Sequence, residues 1–94
     1  MAINKRFQAT VHGRVQGVSF RHYTQVEAQR LGVSGWVANQ RDGTVRVVAE
    51  GPESALKQFE KFLHEGSPYA QVSHLDIVWG TATNEFSHFS IKWL

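Results

Sequence analysis

The stretch FQATVHGRVQGVSFRHYTQVEAQRL, residues 7–31, changes its pattern of apolar residues halfway along. Its first part alternates apolar and polar residues, which predicts a half-buried strand over residues 7–12. Its last part, residues 21–31, has helical spacing, with four residues on one predicted side: Tyr23, Val26, Ala28 and Leu31. Between them we expect a turn that carries two glycines, Gly13 and Gly17. The stretch therefore predicts a strand, a loop and a helix in that order.

A hairpin is predicted directly after this helix. Residues 35–40 and 44–50 have the composition of strands, and the second strand alternates its apolar residues. The apolar face of that second strand is predicted to carry Val45, Val47 and Ala49. Between the two strands lies Arg41-Asp42-Gly43, which is typical of a tight hairpin turn.

The rest of the chain predicts a second helix and two further strands. The helix starts with Pro52 at its first position and ends at Gly66, and its apolar stripe is Leu56, Phe59 and Leu63. Residues 72–79 and 86–93 then alternate as strands. The order β-α-β-β-α-β plus a short C-terminal strand predicts an α+β, ferredoxin-like split βαβ sandwich. Its sheet is mainly antiparallel with two helices on one face, in a single domain over residues 1–94.

Composition excludes several classes of site. The chain has no cysteine, which excludes disulfide scaffolds, thiolate zinc sites and cysteine nucleophiles. Its five histidines lack ligand spacing, so we expect surface or packing roles for them, and no cluster of carboxylates suggests a magnesium or calcium site. The net charge is only +2 and the cations form short clusters such as Lys5-Arg6, so no nucleic-acid partner is expected. No apolar segment predicts a signal peptide or membrane span, and we expect a cytoplasmic monomer.

The loop before the first helix and the arginine after it predict an anion site. Glycines allow backbone conformations in which successive N–H groups point into one concavity. A helix N-terminus exposes unpaired N–H groups and carries partial positive charge. Arg21 is unfavourable at that end unless an anion lies against it, and its planar guanidinium fits phosphate oxygens. Taken alone, Arg21 has the alternative of a solvated residue or an ion-pair partner.

Two further polar residues near these elements have alternative roles. The hydroxyl of Ser19 is expected to cap the following helix or to contact the bound anion. Asn39 ends an apolar strand just before the hairpin turn. Its amide can either cap that turn or position a water molecule, and the local sequence favours the cap.

Two motifs resemble the signatures of the acylphosphatases. Val11–Arg21 is similar to the first, which reads glycine, any residue, Val-Gln-Gly-Val, any residue, an aromatic residue or methionine, and arginine. Residues 35–45, continuing to Gly51, are similar to the second signature throughout, and the ending Phe89-Ser90-Ile91-Lys92-Trp93 also resembles the family. Chain length and element order agree with the family over nearly the whole chain.

The resemblance implies hydrolysis of acyl phosphates to a carboxylate and inorganic phosphate, with no metal or other cofactor. It implies that Arg21 binds the phosphoryl group and that Asn39 orients the attacking water. Main-chain N–H groups would hold the remaining oxygens. The implied phosphate-binding residues are Val15, Gln16, Gly17, Val18, Ser19, Phe20 and Arg21. At Gln40 the chain departs from the family, because several members have a hydroxyl residue beside the asparagine.

Two other functions stay open at this point. A ferredoxin-like fold can be a non-catalytic binding module, but residues 44–50 lack the basic, glycine and aromatic run of an RNA-binding strand. The acylphosphatase-like domain of hydrogenase-maturation carbamoyltransferases is the second alternative. It would be followed by a long chain with zinc-binding cysteines, which this sequence does not contain.

Overall fold

The computed structural model describes residues 3–94, and within them the chain forms five strands and two helices. The strands are β1 (Asn4–Arg14), β2 (Ser34–Asn39), β3 (Val45–Pro52), β4 (Gln71–Thr81) and β5 (Phe89–Ile91). The helices are α1 (Phe20–Leu31) and α2 (Glu53–Glu65). Along the chain the order is β1-α1-β2-β3-α2-β4-β5, which confirms the predicted order of elements.

The strands form one sheet in the spatial order β4-β1-β3-β2-β5. The pairs β1/β3, β1/β4 and β2/β3 are antiparallel, and β2/β5 is parallel. Both helices pack on the same face of the sheet, where the alternating apolar residues of β1 and β3 form the core with the stripe of α2. This arrangement is the predicted α+β, ferredoxin-like fold.

The alternation of β1 and β3 predicts their core residues correctly, whereas β4 contains no fully buried residue and the buried face of α1 differs from its prediction. Tyr23 and Val26 are 39% and 48% exposed, and the residues of α1 that are buried are Phe20, Thr24 and Ala28. The helix begins at Phe20, one residue earlier than predicted, and this large ring sets which side faces the sheet. Because α1 has few apolar residues, its sequence gives only a weak signal for that side.

Two boundaries also differ from the prediction. Helix α2 begins at Glu53 with Pro52 as its N-cap, so the proline lies one position before the first helical residue. The last strand spans Phe89–Ile91 only. Lys92 still donates its N–H to the carbonyl of Val37, but Trp93 lies beyond the strand and is 78% exposed.

A buried carboxylate on β3 anchors the loop between β4 and β5. The side chain of Glu50 is 1% exposed and accepts hydrogen bonds from Arg6 Nη1 at 2.8 Å and from the N–H groups of Thr83 and Asn84 at 2.9 Å. The Thr83 hydroxyl donates to it at 3.0 Å. Burial raises the pKa of Glu50, but the hydrogen bonds from Thr83, Arg6 and Asn84 together lower it below its ordinary value. Sequence analysis does not identify this anchor.

Replacing Glu50 is therefore expected to cost stability in a pH-dependent way. Glu50→Gln leaves Arg6 without its buried partner and should lower the free energy of unfolding by about 3 kcal/mol near neutral pH. Because the folded-state pKa is lowered, the contribution of Glu50 is fully present above its unfolded-state pKa, ordinarily 4.5. That contribution is lost as the pH falls through the folded-state value. Urea unfolding over a pH series checks this.

Glu85→Gln is the matched control for this experiment. Glu85 also pairs with Arg6, at 3.3 Å, but its side chain is 58% exposed. Exposed pairs contribute little, so the control should change the stability by less than about 1 kcal/mol. Two results would show that Glu50 is not a buried charged anchor. One is an equal loss of unfolding free energy in the two variants. The other is a difference in unfolding free energy between Glu50→Gln and wild type that stays constant as the pH falls.

Candidate active site

A pocket of about 300 Å³ opens where β1 leads into α1. Five of the implied phosphate-binding residues line it: Val15, Gly17, Ser19, Phe20 and Arg21. Its other wall comes from His22, Ile91 and Trp93. The remaining two implied residues, Gln16 and Val18, are not part of the lining. Val18 is only 9% exposed and belongs to the core, where the Ser67 hydroxyl donates to its carbonyl oxygen at 2.9 Å.

The main chain along this loop has free donors. Residues 15–20 donate no hydrogen bond to another main-chain group of the described chain, and the first helical bond runs from Tyr23 N–H to the carbonyl of Ser19 at 3.1 Å. Gly17 and Ser19 both have left-handed backbone conformations, with φ of 73° and 61°. For a serine this conformation is uncommon, and it bends the chain tightly into α1. The loop thus presents unpaired N–H groups at the positive end of a helix.

Ser19 occupies the N-cap position of α1, but its side chain does not cap the helix. Within residues 3–94 its hydroxyl makes no capping hydrogen bond, and the first turn of the helix contains no acidic residue. The expected capping role is therefore wrong, while a contact with an anion stays a prediction. The positive end of α1 is left without the neutralisation that a cap or an acidic side chain normally supplies.

Gly13 does not belong to this loop, which corrects the prediction of a turn with two glycines. It lies inside β1, at the point where the pairing with β4 shifts register. Its φ is 124°, and a Cβ there would come within 2.1 Å of the carbonyl oxygen of Gln71. Gly13 is thus required by the close approach of β4. A Cβ at Gly17 would meet nothing within 4 Å, so only its backbone conformation requires glycine.

Arg21 lines the pocket, and its guanidinium has no hydrogen-bond acceptor or ion-pair partner in the described part of the chain. Its Nη1 is buried and makes no hydrogen bond within residues 3–94, and it forms no ion pair with the described carboxylates. The alternative of an ion-pair partner therefore finds no support. The centre of the Trp93 ring lies 4.4 Å from the guanidinium carbon, which places the cation over the face of the ring.

Asn39 lies at the same end of the sheet as the loop. It is the last residue of β2 and pairs with Val45, which in turn pairs with Val11 of β1. Val37, two residues earlier on β2, is fully buried in the core, so Asn39 faces the helix-covered side of the sheet. Its Oδ1 is buried and has no partner in the described part of the chain. Asn39 is not among the residues that line the pocket itself.

The hairpin turn after Asn39 is closed by other residues, so the turn-capping interpretation of Asn39 is wrong. Asp42 Oδ1 accepts hydrogen bonds from Thr44 N–H at 3.0 Å and from the Thr44 hydroxyl at 2.6 Å. These bonds lower the pKa of Asp42 below its ordinary value. The amide of Asn39 is left free for another role.

Comparisons with known proteins bear on the family of this chain. The model of the family described as Acylphosphatase matches residues 7–91. The chain belongs to the acylphosphatase family. An acylphosphatase of Salinibacter ruber is 46% identical over 88 residues, which cover 94% of this chain and 93% of that protein.

Solved structures support the same assignment. The crystal structure of acylphosphatase from Bacillus subtilis superimposes with a TM-score of 0.91 at 39% identity, covering 94% of this chain and 98% of that one. The structure of full-length HypF in its phosphate- and nucleotide-bound form has a TM-score of 0.85, but at 22% identity it shows a shared fold alone. This chain covers only 12% of that protein.

In this member of the acylphosphatase family, Gln16 ties the loop to the turn that follows Asn39. Its Nε2 donates to the carbonyl of Gln40 at 2.7 Å and to the carbonyl of Thr44 at 2.9 Å. The side chain of Gln40 in turn donates to the Thr44 hydroxyl at 2.9 Å. Gln40, where the chain departs from several members of the family, therefore stabilises the turn by its hydrogen bond to Thr44. Sequence analysis missed the linking role of Gln16, although the Val-Gln-Gly-Val motif contained it.

Elsewhere in the described residues the alternatives for a site are weaker. A larger groove of about 460 Å³ runs beside Lys5 and Trp79, but Lys5 pairs with Glu53 at 2.8 Å and offers no free charge. No group of three or more His, Asp or Glu side chains in residues 3–94 is arranged to hold a metal ion. None of the helices described here is both long and apolar enough to cross a membrane.

The two glycines should respond differently to alanine, because they are required for different reasons. Gly13→Ala forces a Cβ against the backbone of β4 and should lower the free energy of unfolding by about 3 kcal/mol or more. Gly17→Ala meets open space and should cost only about 1 kcal/mol for its backbone conformation. Urea unfolding measures both.

Gly80→Ala serves as the control. Gly80 lies on β4 and has no positive φ, and a Cβ added there would meet nothing within 4 Å. It should change the stability by less than about 0.5 kcal/mol. If Gly13→Ala and Gly17→Ala proved equally mild, the close approach of β4 at Gly13 would be disproved.

Proposed function

We propose that the chain hydrolyses acyl phosphates without a metal, releasing a carboxylate and inorganic phosphate. The observation that carries this proposal is the buried Nη1 of Arg21, which has no partner in residues 3–94 and lies beside a loop of free main-chain donors. Membership of the acylphosphatase family supports the same reaction.

The phosphoryl group would bind between the main-chain N–H groups from Val15 to Phe20 and the guanidinium of Arg21. Unpaired N–H groups at a helix N-terminus and an arginine are both donors to phosphate oxygens. The positive end of α1 lacks an acidic residue in its first turn, which favours a bound anion there. These donors would also stabilise the charge that spreads over the phosphate oxygens in the transition state.

Asn39 would orient the attacking water. Its buried Oδ1 has no partner in the described chain, so it can accept a hydrogen bond from a water molecule. Water attacks phosphorus in line with the acyl oxygen, the bond from phosphorus to that oxygen breaks, and the carboxylate leaves with the electron pair. A phosphate oxygen accepts the proton of the water. The leaving carboxylate has a conjugate-acid pKa of about 4–5, so it needs no general acid.

The first experiment is hydrolysis of acetyl phosphate and benzoyl phosphate in the presence of a metal chelator. We expect turnover of both acyl phosphates and none of a phosphate monoester, because the monoester has a much poorer leaving group. Dependence on an added divalent metal, or equal rates on the monoester, would contradict the proposal.

Replacing the two side chains should separate binding from turnover. Arg21→Ala should chiefly weaken substrate and phosphate binding and also slow turnover. Asn39→Ala should keep its phosphate affinity but lose about 100-fold in kcat, near 3 kcal/mol of transition-state stabilisation. Steady-state kinetics with phosphate as a competitive inhibitor measures both quantities.

Arg30→Ala is the matched control, since Arg30 lies on the same helix, pairs with Glu27 and is 65% exposed at its side chain. It should behave as wild type. If Arg21→Ala were fully active, the proposal that Arg21 binds the phosphoryl group would be wrong. Loss of phosphate affinity in Asn39→Ala would assign that residue to binding instead of water placement.

A further inference from the structure

Trp93 is placed where packing of the core does not explain it. It lies two residues beyond the end of β5, and 78% of its surface is exposed. Its ring nevertheless has a defined neighbour, because the guanidinium of Arg21 lies over the ring face at 4.4 Å from the ring centre. A large aromatic ring exposed at the wall of a pocket is available for contact with a ligand.

The ring covers Arg21 from a direction that leaves its hydrogen-bond donors free. A guanidinium donates in its own plane, whereas a cation–π contact uses the face of that plane. The buried Nη1 of Arg21 has no acceptor within residues 3–94, which fits a donor kept free for an anion. An anion at the edge of the guanidinium and the ring on its face can therefore be present together.

The pocket consequently has a polar side and an apolar side. The polar side is the loop around Gly17 and Ser19 with its free N–H groups, and the apolar side includes Ile91 and the ring of Trp93. A phosphoryl group seated at the polar side is joined through one oxygen to its acyl group. The acyl group then extends from the phosphoryl group into the rest of the pocket, whose lining includes the largely exposed Trp93.

We propose that Trp93 selects the acyl group, and that this chain prefers acyl phosphates with an aromatic acyl group to those with a small aliphatic one. This inference rests on the proposed function. An aromatic acyl group can stack on the exposed ring and bury apolar surface there, while an acetyl group is too small to cover it. The side chain of Trp93 contacts the substrate outside the phosphoryl group, so it sets selectivity and leaves phosphate binding unchanged.

The test compares kcat/KM for benzoyl phosphate and acetyl phosphate in wild type, Trp93→Leu and Trp93→Phe. Trp93→Leu should lower kcat/KM about fivefold on benzoyl phosphate and by less than about twofold on acetyl phosphate. Trp93→Phe keeps an aromatic ring and should retain most of the preference. The inhibition constant of inorganic phosphate should stay as in wild type.

Trp36→Leu is the matched control, because its ring also lies beside a cation, Lys92, at 4.8 Å, but does not line the pocket. Its ratio of the two kcat/KM values should equal that of wild type. An equal fall of kcat/KM on both substrates in Trp93→Leu would mean that the ring only positions Arg21. Wild-type kcat/KM on both substrates would mean that the ring contacts no acyl group. Either result overturns the inference.

A binding experiment separates this inference from the proposed function. Benzoylphosphonate and acetylphosphonate present the same two acyl groups without the bond that is hydrolysed. Wild type should bind benzoylphosphonate more tightly, and Trp93→Leu should lose most of that difference. If wild type hydrolysed neither acyl phosphate but kept this binding preference, the proposed function would fail and the role of Trp93 would stand. Equal affinities in wild type would overturn the role of Trp93 whatever the activity.

Discussion

The structure depends on a helix whose positive end the protein does not neutralise. The N–H groups of residues 15–20 have no main-chain acceptor in the described chain, and the side chain of the N-cap residue Ser19 makes no capping hydrogen bond there. Arg21 adds a full positive charge at the same point. Such an arrangement costs stability in the empty protein, because helix N-termini favour acids and capping side chains. An anion bound as proposed would offset this cost, so the local instability would also be the source of affinity.

The hydrogen bonding of buried polar groups differs between the two ends of the sheet, and this difference supports the interpretation. Glu50 is buried with four donors around its carboxylate, and the bonds outweigh the effect of burial on its pKa. Three buried polar atoms have no partner in residues 3–94: Arg21 Nη1, Asn39 Oδ1 and, on the buried face of α1, Thr24 Oγ1. A fold that satisfies Glu50 so completely can satisfy buried polar groups when stability requires it. Arg21 lines the pocket and Asn39 lies at the same end of the sheet, so the unpaired atoms of these two residues favour the proposed ligand site there.

Sequence alone predicts the fold well where burial follows a simple period. The strands β1 and β3 and the helix α2 have clear alternation or a clear stripe, and their buried residues are as expected. The buried face of α1 could not be predicted from the sequence. It consists of Phe20, Thr24 and Ala28, and only the first of these is a large apolar residue. The role of Gly13 depends on how closely β4 approaches, and that distance has no local signal in the sequence. The hydrogen bonds of Gln16 also have no local signal in the sequence, because their acceptors, the carbonyls of Gln40 and Thr44, lie 24 and 28 residues further along the chain.

These long-range bonds join the two separate motifs. The carbonyl of Val18 is held by the buried hydroxyl of Ser67, and since C=O and N–H of a peptide point in opposite directions, the N–H of Ser19 is turned away from the core. Gln16, two residues before, fixes the other side of the loop to the turn after Asn39. The loop that is proposed to bind phosphate is thus main chain held in place by two side chains, Gln16 and Ser67, that do not line the pocket. In the proposed reaction, recognition of the phosphoryl group would depend on this backbone conformation together with the guanidinium of Arg21. Side chains around the pocket would then distinguish one acyl group from another.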